Sequence, residues 1–225
     1  MPSRDGLPIF PLEAVTLLPG VLLPLHIFEP RYRQLVADCL ANDTSFGILR
    51  PGGGREAPPP GTVGCAAAIR AHDLLPDGRS NILVEGGKRF VVERCVEGSD
   101  PYLVATVERF DDRAVDGPPP DTTELEHLFR GYINAICALQ DAELPEIALS
   151  PEPGVLTFQI AANIDPDASL QGLLLESRSA WERIELLTQW LLPQTADVRE
   201  RALVHHLARG NGHSTRPCPP ARTER

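Results

Sequence analysis

Lysine is almost missing from this chain: Lys88 is the single one among 21 Lys and Arg residues. A phosphate-binding loop of the form G-x-x-x-x-G-K-[ST] needs its lysine to reach the phosphates and its hydroxyl to reach Mg²⁺. The one candidate, Gly87-Lys88-Arg89, has Ile82 where the first glycine belongs and Arg89 where Ser or Thr belongs. ATP hydrolysis by this motif is excluded. A Ser-Lys dyad requires a lysine desolvated enough to act as a base, whereas Lys88 sits beside a second cation next to a predicted strand and reads as a surface lysine. C-x-x-C pairs are also absent. Cys39, Cys65, Cys95, Cys137 and Cys218 are odd in number, which suggests reduced thiols rather than a disulfide framework or zinc knuckle. No apolar run approaches the length of a membrane span, and MPSRDGLPIFPLEAV lacks the apolar core of a secretory signal, so a cytoplasmic protein with no membrane partner is expected.

What is present is ordinary globular material. The 225 residues are 42% hydrophobic and 23% charged, enough for one large or two small domains. The net charge of -10 repels a nucleic-acid backbone, so no nucleic-acid partner is expected.

Periodicity divides the chain. Short β-prone segments bounded by Gly, Pro or Asp lie at Leu7–Leu12, Val21–Phe28, Phe46–Leu49, Thr62–Ala71, Asn81–Glu85, Arg89–Val96 and Tyr102–Phe110. Pro76-Asp77-Gly78 predicts a hairpin turn. Between the strands, Pro30 opens a helix whose stripe is Tyr32, Leu35, Val36, Cys39 and Leu40. PGGGREAPPPG at 51–61 is a loop, and DDRAVDGPPPD at 111–121 reads as a semi-rigid linker. Beyond it the pattern is helical. A long helix is capped by Asp121 and Glu124 and carries Leu125, Leu128, Phe129, Tyr132, Ile133, Ile136 and Leu139 on one face. Further helices are predicted over 150–163, after Asp165-Pro166, from Ser179 with Glu182 to a stop at Pro193, and over 196–209. The expected class is α+β, with a β-rich part over 1–112, a helical bundle over 121–209 and a disordered tail over 210–225.

Candidate chemistry is sparse. Gly52-x-Gly54-x-x-Ala57 matches a dinucleotide fingerprint formally, but Pro58, Pro59 and Pro60 stand where its helix would start. His26-x-x-Glu29 is too short for a zinc motif, and His205-His206 with His213 lack a ligand scaffold. Cys39 and Cys65 sit in apolar surroundings and read as core fillers, and no G-x-S-x-G elbow occurs. No catalytic residue, metal or cofactor is assigned. Arg89 is expected to pair with a sheet carboxylate while Phe90 enters the core.

The segments LPIFPLEAVTLLPGVLLPLHIFEPRYRQLVADCLANDTSFGIL, GTVGCAAAI, LPDGRSNILVEGGKRFVVERC, PYLVATVERFDD and FQIAANIDPDASLQGLLLESRSAWERIELLTQWL, in that order, resemble the N-terminal substrate-binding domain of Lon proteases. The resemblance spans about residues 5 to 192. It implies a PUA-like β pseudobarrel (LON N-terminal domain) followed by a C-terminal helical bundle, and a role in gripping unfolded polypeptide. RNA binding, known for other PUA-like folds, is opposed by the acidic charge. The expectation is a stand-alone, non-catalytic domain without AAA+ and peptidase modules. It would capture exposed polypeptide or a protein partner by an apolar patch between the pseudobarrel and the helical half, where extended peptide could also pair with a sheet edge while its side chains enter apolar pockets. Alternatives are an adaptor for one folded partner, such as an ATP-dependent protease, bound through the long helix near Asp121, and an enzyme with an unrecognised site. Peptide or partner contacts are assigned to Phe28, Arg31, Tyr32 and Arg33. The competing reading of Glu29–Arg33 is structural, with Pro30 starting the helix, Glu29 at its positive end and Tyr32 inward.

Overall fold

The computed structural model describes residues 6–52, 57–96, 100–114 and 117–211. Its elements run β1 (Leu7–Pro11), β2 (Leu22–Ile27), α1 (Pro30–Asn42), β3 (Phe46–Leu49), β4 (Val63–Leu74), β5 (Ser80–Val96), β6 (Leu103–Arg109), α2 (Thr123–Gln140), α3 (Pro153–Ala162), α4 (Ala168–Glu176) and α5 (Ala180–Asn211). The chain is α+β, as its sequence predicts, and forms two compact units, Met1–Thr122 with Ala148–Leu187 and Thr123–Ile147 with Thr188–Arg225. This grouping differs from a division at the proline-rich segment, because α3, α4 and the start of α5 share a unit with the strands.

In the first unit the strands order as β2-β5-β4-β3-β1-β6, with β5 also pairing β6. That last pairing closes β1, β3, β4, β5 and β6 into a ring, leaving β2 appended to β5. All pairings are antiparallel except β1 with β3. Ile9, Leu49, Phe90, Val92 and Ala105 form a buried cluster of the core. Phe90 fits because its neighbours lack side chains: a Cβ at Gly64 would stand 2.5 Å from Phe90 Cζ and 2.7 Å from the Ile48 carbonyl oxygen. The turn at Pro76-Asp77-Gly78 is the predicted one, with Gly78 at φ 81° and the Asp77 carboxylate accepting from the Arg79 N–H at 3.0 Å.

Helix α1 starts at Pro30 and buries Tyr32, Leu35, Val36 and Cys39; Leu40, placed on the same stripe by spacing, is 43% exposed instead. Tyr32 packs on Phe10, with ring centroids 4.1 Å apart. The Tyr102 hydroxyl donates to the Asp38 carboxylate at 2.6 Å, tying α1 to the approach to β6. Helix α4 follows Asp165-Pro166 as expected and is capped by Asp167, which accepts from the Ser169 and Leu170 N–H groups.

Two sequence expectations are corrected. The strands read at Asn81–Glu85 and Arg89–Val96 are one 17-residue strand, β5. Between the pairs Ala67↔Gly86 and Cys65↔Arg89, β4 advances two residues while β5 advances three, so Gly87-Lys88 lie in a bulge rather than a break. The stop expected at Pro193 does not occur, and α5 runs through it. Proline costs about 3 kcal/mol in a helix interior. Leu191 and Val198, buried on one face on either side of it, supply apolar packing against that cost.

In the second unit, Leu125 and Phe129 of α2 are buried as predicted, and Tyr132 meets Trp190 edge-on with centroids 5.9 Å apart. The rest of the expected α2 stripe, including Leu128 and Ile136, is only half-buried. Of the tail expected to be disordered, 212–225 lies outside the described residues, and Gly210 and Asn211 end α5.

Candidate functional site

β2 pairs only with β5 among the described residues, so its other edge is open. Its side chains alternate, Ile27 being buried while Leu22, Pro24 and His26 face outward. Register places Leu83 beside Pro24 and Ala71 beside Leu83 on the same face, which widens the apolar strip behind the edge. Leu22 is 56% exposed and Phe28, just past the strand, 60% exposed. The Phe28 ring stacks on His26, with centroids 6.2 Å apart, and His26 Nδ1 lies 2.7 Å from Asn81 Oδ1. Pro24 has no N–H to offer and blunts the middle of the edge against indiscriminate strand addition.

The four residues assigned from sequence part company at the start of α1. Phe28 points outward. The Arg31 Nε–H donates to Glu29 at 2.9 Å and its guanidinium covers the Tyr32 ring at 4.7 Å. Tyr32 itself is buried in the core, so its ring is not offered to a ligand. Arg33 is exposed, with its guanidinium against Gly78 of the β4–β5 turn. Phe28 and Arg33 thus flank the outer end of β2, and Arg31 fixes the helix start.

A buried cation cluster lies elsewhere in the same unit. Arg183 is fully buried and Arg89 nearly so. Both bind the Asp112 carboxylate: Arg183 Nη1 and Nη2 donate to Oδ1 and Oδ2 at 2.8 and 2.6 Å, and Arg89 Nη2 donates to Oδ1 at 2.5 Å. Arg89 Nη1 also donates to the Leu175 carbonyl at 2.7 Å and to that of Ser177, and Arg183 Nε donates to Thr157 Oγ1 at 2.9 Å. Phe158 lies beneath both guanidinium groups, 5.1 and 4.4 Å from their Cζ atoms. Burial alone would raise the Asp112 carboxyl, but the hydrogen bonds and charges of Arg183 and Arg89 outweigh it and hold the group below its usual range. Arg89 therefore pairs with a carboxylate as expected, but one that follows β6 rather than one in the sheet.

Cys65 is buried, and desolvation pushes its thiol up to about 12, which suits a core filler and not a nucleophile. Among the described residues, no three His, Cys, Asp or Glu side chains are grouped to hold a metal, and no helix is long and apolar enough to cross a membrane.

Residues 6–192 match the family described as the ATP-dependent protease La (LON) substrate-binding domain. The chain belongs to that family. Lon proteases of Methylocella silvestris and Anaeromyxobacter dehalogenans are 28% and 30% identical to it, over 88% and 82% of its length. The chain spans about a quarter of each of these relatives, 25% and 23%. A crystal structure of a Lon N-terminal domain protein from Xanthomonas campestris superposes with a TM-score of 0.60 at 24% identity, covering 82% of this chain and 98% of that one. The N-terminal domain of a Mycobacterium avium complex Lon protease gives 0.55 at 18%, covering 83% and 97%. Both likenesses concern the fold. Of the apolar residues along the β2 edge, sequence reasoning pointed to Phe28. It missed Leu22, Leu83 and Ala71, whose shared face depends on register, and it missed Arg183, whose partner Asp112 lies 71 residues away.

Proposed function

We propose that this chain holds extended or unfolded polypeptide on the outer face and open edge of β2, without making or breaking a covalent bond. The observation that carries the reading is the exposed apolar strip of Leu22, Pro24 and Phe28 along a strand with one unpaired edge, with half-buried Leu83 of β5 beside Pro24, in a domain whose family is described as substrate-binding. Main-chain bonds along such an edge supply affinity, and apolar side chains on alternate positions supply preference. Arg33 at the end of the strip adds a cation for acidic segments.

The test is binding of a fluorescent, permanently unfolded protein to the purified chain, followed by anisotropy. The expected dissociation constant is roughly 10–100 µM. Phe28→Ala and Leu22→Ala each remove about 1.5 kcal/mol of apolar contact, roughly tenfold in affinity. Because both side chains are exposed, thermal stability should barely change. Absence of binding at these concentrations, or full binding by the double variant, defeats the reading.

A second reading, an adaptor for one folded protein, is favoured by a different surface. Leu203, Val204 and Leu207 on α5 are 59%, 61% and 57% exposed at helical spacing. Crosslinking in cells separates the readings: a single stoichiometric partner lost on Leu203→Glu supports the adaptor, and many weak partners support capture of clients.

A further inference from the structure

The first unit carries a cleft of about 430 Å³ that the edge-strand reading does not use. The volume falls in the range of small-molecule sites, which are typically apolar with a few placed polar groups. Its apolar walls are Phe110, Phe158, Val155 and Pro19. Its polar border is Lys88, Arg89, Asp111, Asp112 and Glu152.

The cleft is built rather than incidental. The β5 bulge brings Gly87, Lys88 and Arg89 to it, and bulges commonly serve to re-aim side chains. Opposite them, Val155 and Phe158 come from α3, and at Gly154 a Cβ would stand 3.0 Å from Asp112 Oδ2 and 2.9 Å from Glu152 Oε1. A larger residue there would crowd the carboxylates at the border.

Charge selects the occupant. Arg89 and Arg183 share the single carboxylate of Asp112, which leaves one buried positive charge uncompensated. Asp111 is paired with Arg109 at 2.9 Å, while Arg178 stacks 5.0 Å from the centroid of Phe110. Among the described residues no ion pair or hydrogen bond engages the side chains of Lys88 or Glu152. The lining itself holds two cations, Lys88 and Arg89, against three carboxylates. The neighbouring Arg183, Arg109 and Arg178, which pair with or stack on that lining, turn this into an excess of two cations in a chain whose net charge is -10. A local positive excess beside aromatic walls fits a ligand that is anionic at one end and apolar at the other.

We propose that this cleft binds a carboxylate joined to a ring-sized apolar body, the body lying against Phe110, Phe158 and Val155 and the carboxylate facing Lys88 in the field of Arg89. Two sources offer this chemistry, a free small organic acid and the C-terminal residue of a polypeptide. The site is separate from the β2 edge, so either assignment stands without the other.

The full chain is titrated by NMR with 3-phenylpropionate, its neutral amide, and a pentapeptide ending in a free-carboxylate phenylalanine. Saturable binding of one of the acids is expected, at roughly 0.1–1 mM for a ligand of this size. The matching amide should bind roughly fivefold or more weakly, since it loses the charge interaction. If the small acid binds and the pentapeptide does not, the occupant is a free acid; binding of the pentapeptide assigns a chain end. Lys88→Gln should weaken the acid roughly threefold or more and Glu152→Gln should strengthen it about twofold. These exposed positions make misfolding a poor explanation, and the opposite signs separate charge from general damage. Val155→Trp should fill the cleft and abolish binding. No saturation by either acid at about 10 mM, equal binding of acid and amide, or indifference to Val155→Trp overturns the proposal.

Discussion

Asp112 is the residue on which the first unit's helices and strands are tied together. It accepts from Arg89 of β5 and Arg183 of α5, two buried cations of which its one charge offsets half. Removing one partner of a buried pair costs about 3–5 kcal/mol; with a third of its side chain exposed, Asp112→Asn should cost less, about 2–3 kcal/mol at pH 7. The pH dependence has a definite sign. A carboxyl held below its usual range contributes stability that is complete above the unfolded-chain value of about 3.9 and is lost as pH falls through the lower folded value. Urea unfolding at pH 7 and at a pH below that folded value should therefore show the gap between wild type and Asp112→Asn narrowing in acid. Equal gaps at the two pH values contradict this account of the cluster. Cys65 gives a simpler check: with its thiol near 12 and its side chain buried, it should resist thiol reagents until the protein unfolds.

Among the elements, short strands bounded by turn residues and the helix opened by Pro30 were legible from sequence, whereas α3, expected from Ser150, starts at Pro153. β1, β3 and α1 lie within a residue or two of their predicted limits because Pro, Gly and Asp punctuate them. β5 was not legible as one strand. Gly86-Gly87 resembles a break in a one-dimensional pattern and becomes a bulge only when β4 is present to pair across it. Pro193 misled for the same reason, since its cost is local whereas the burial of Leu191 and Val198 is tertiary. For the candidate site, Phe28 was readable as an apolar residue ahead of a helix start. The cleft was not, because Asp111 and Asp112 looked like the first residues of a linker. Gly64 tests the packing of the ring of strands. An alanine there meets Phe90 Cζ and the Ile48 carbonyl oxygen, and the second is backbone that cannot step aside. Gly64→Ala should lower unfolding stability by about 1–3 kcal/mol, measurable by denaturant titration, while an unchanged midpoint would mean that the core is looser than described.

At the scale of the molecule, the chain belongs to the LON substrate-binding domain family; among the described residues β1, β3, β4, β5 and β6 close into a ring, while β2 and the far part of β4, Ala68–Leu74, each pair on one side only. Closure removes the edges that make isolated sheets sticky; of the two stretches left with one open side, that of β4 carries Arg70, His72 and Asp73, whereas β2 is apolar on its outward face. Capture of polypeptide there predicts a localised footprint. The most direct measurement is amide hydrogen exchange along the chain with and without an excess of a permanently unfolded protein. Exchange should slow over Leu22–Phe28 and at the registered positions of β5, with little change on α2. Protection confined to other elements, leaving Leu22–Phe28 unaltered while the unfolded protein is bound, would contradict the account.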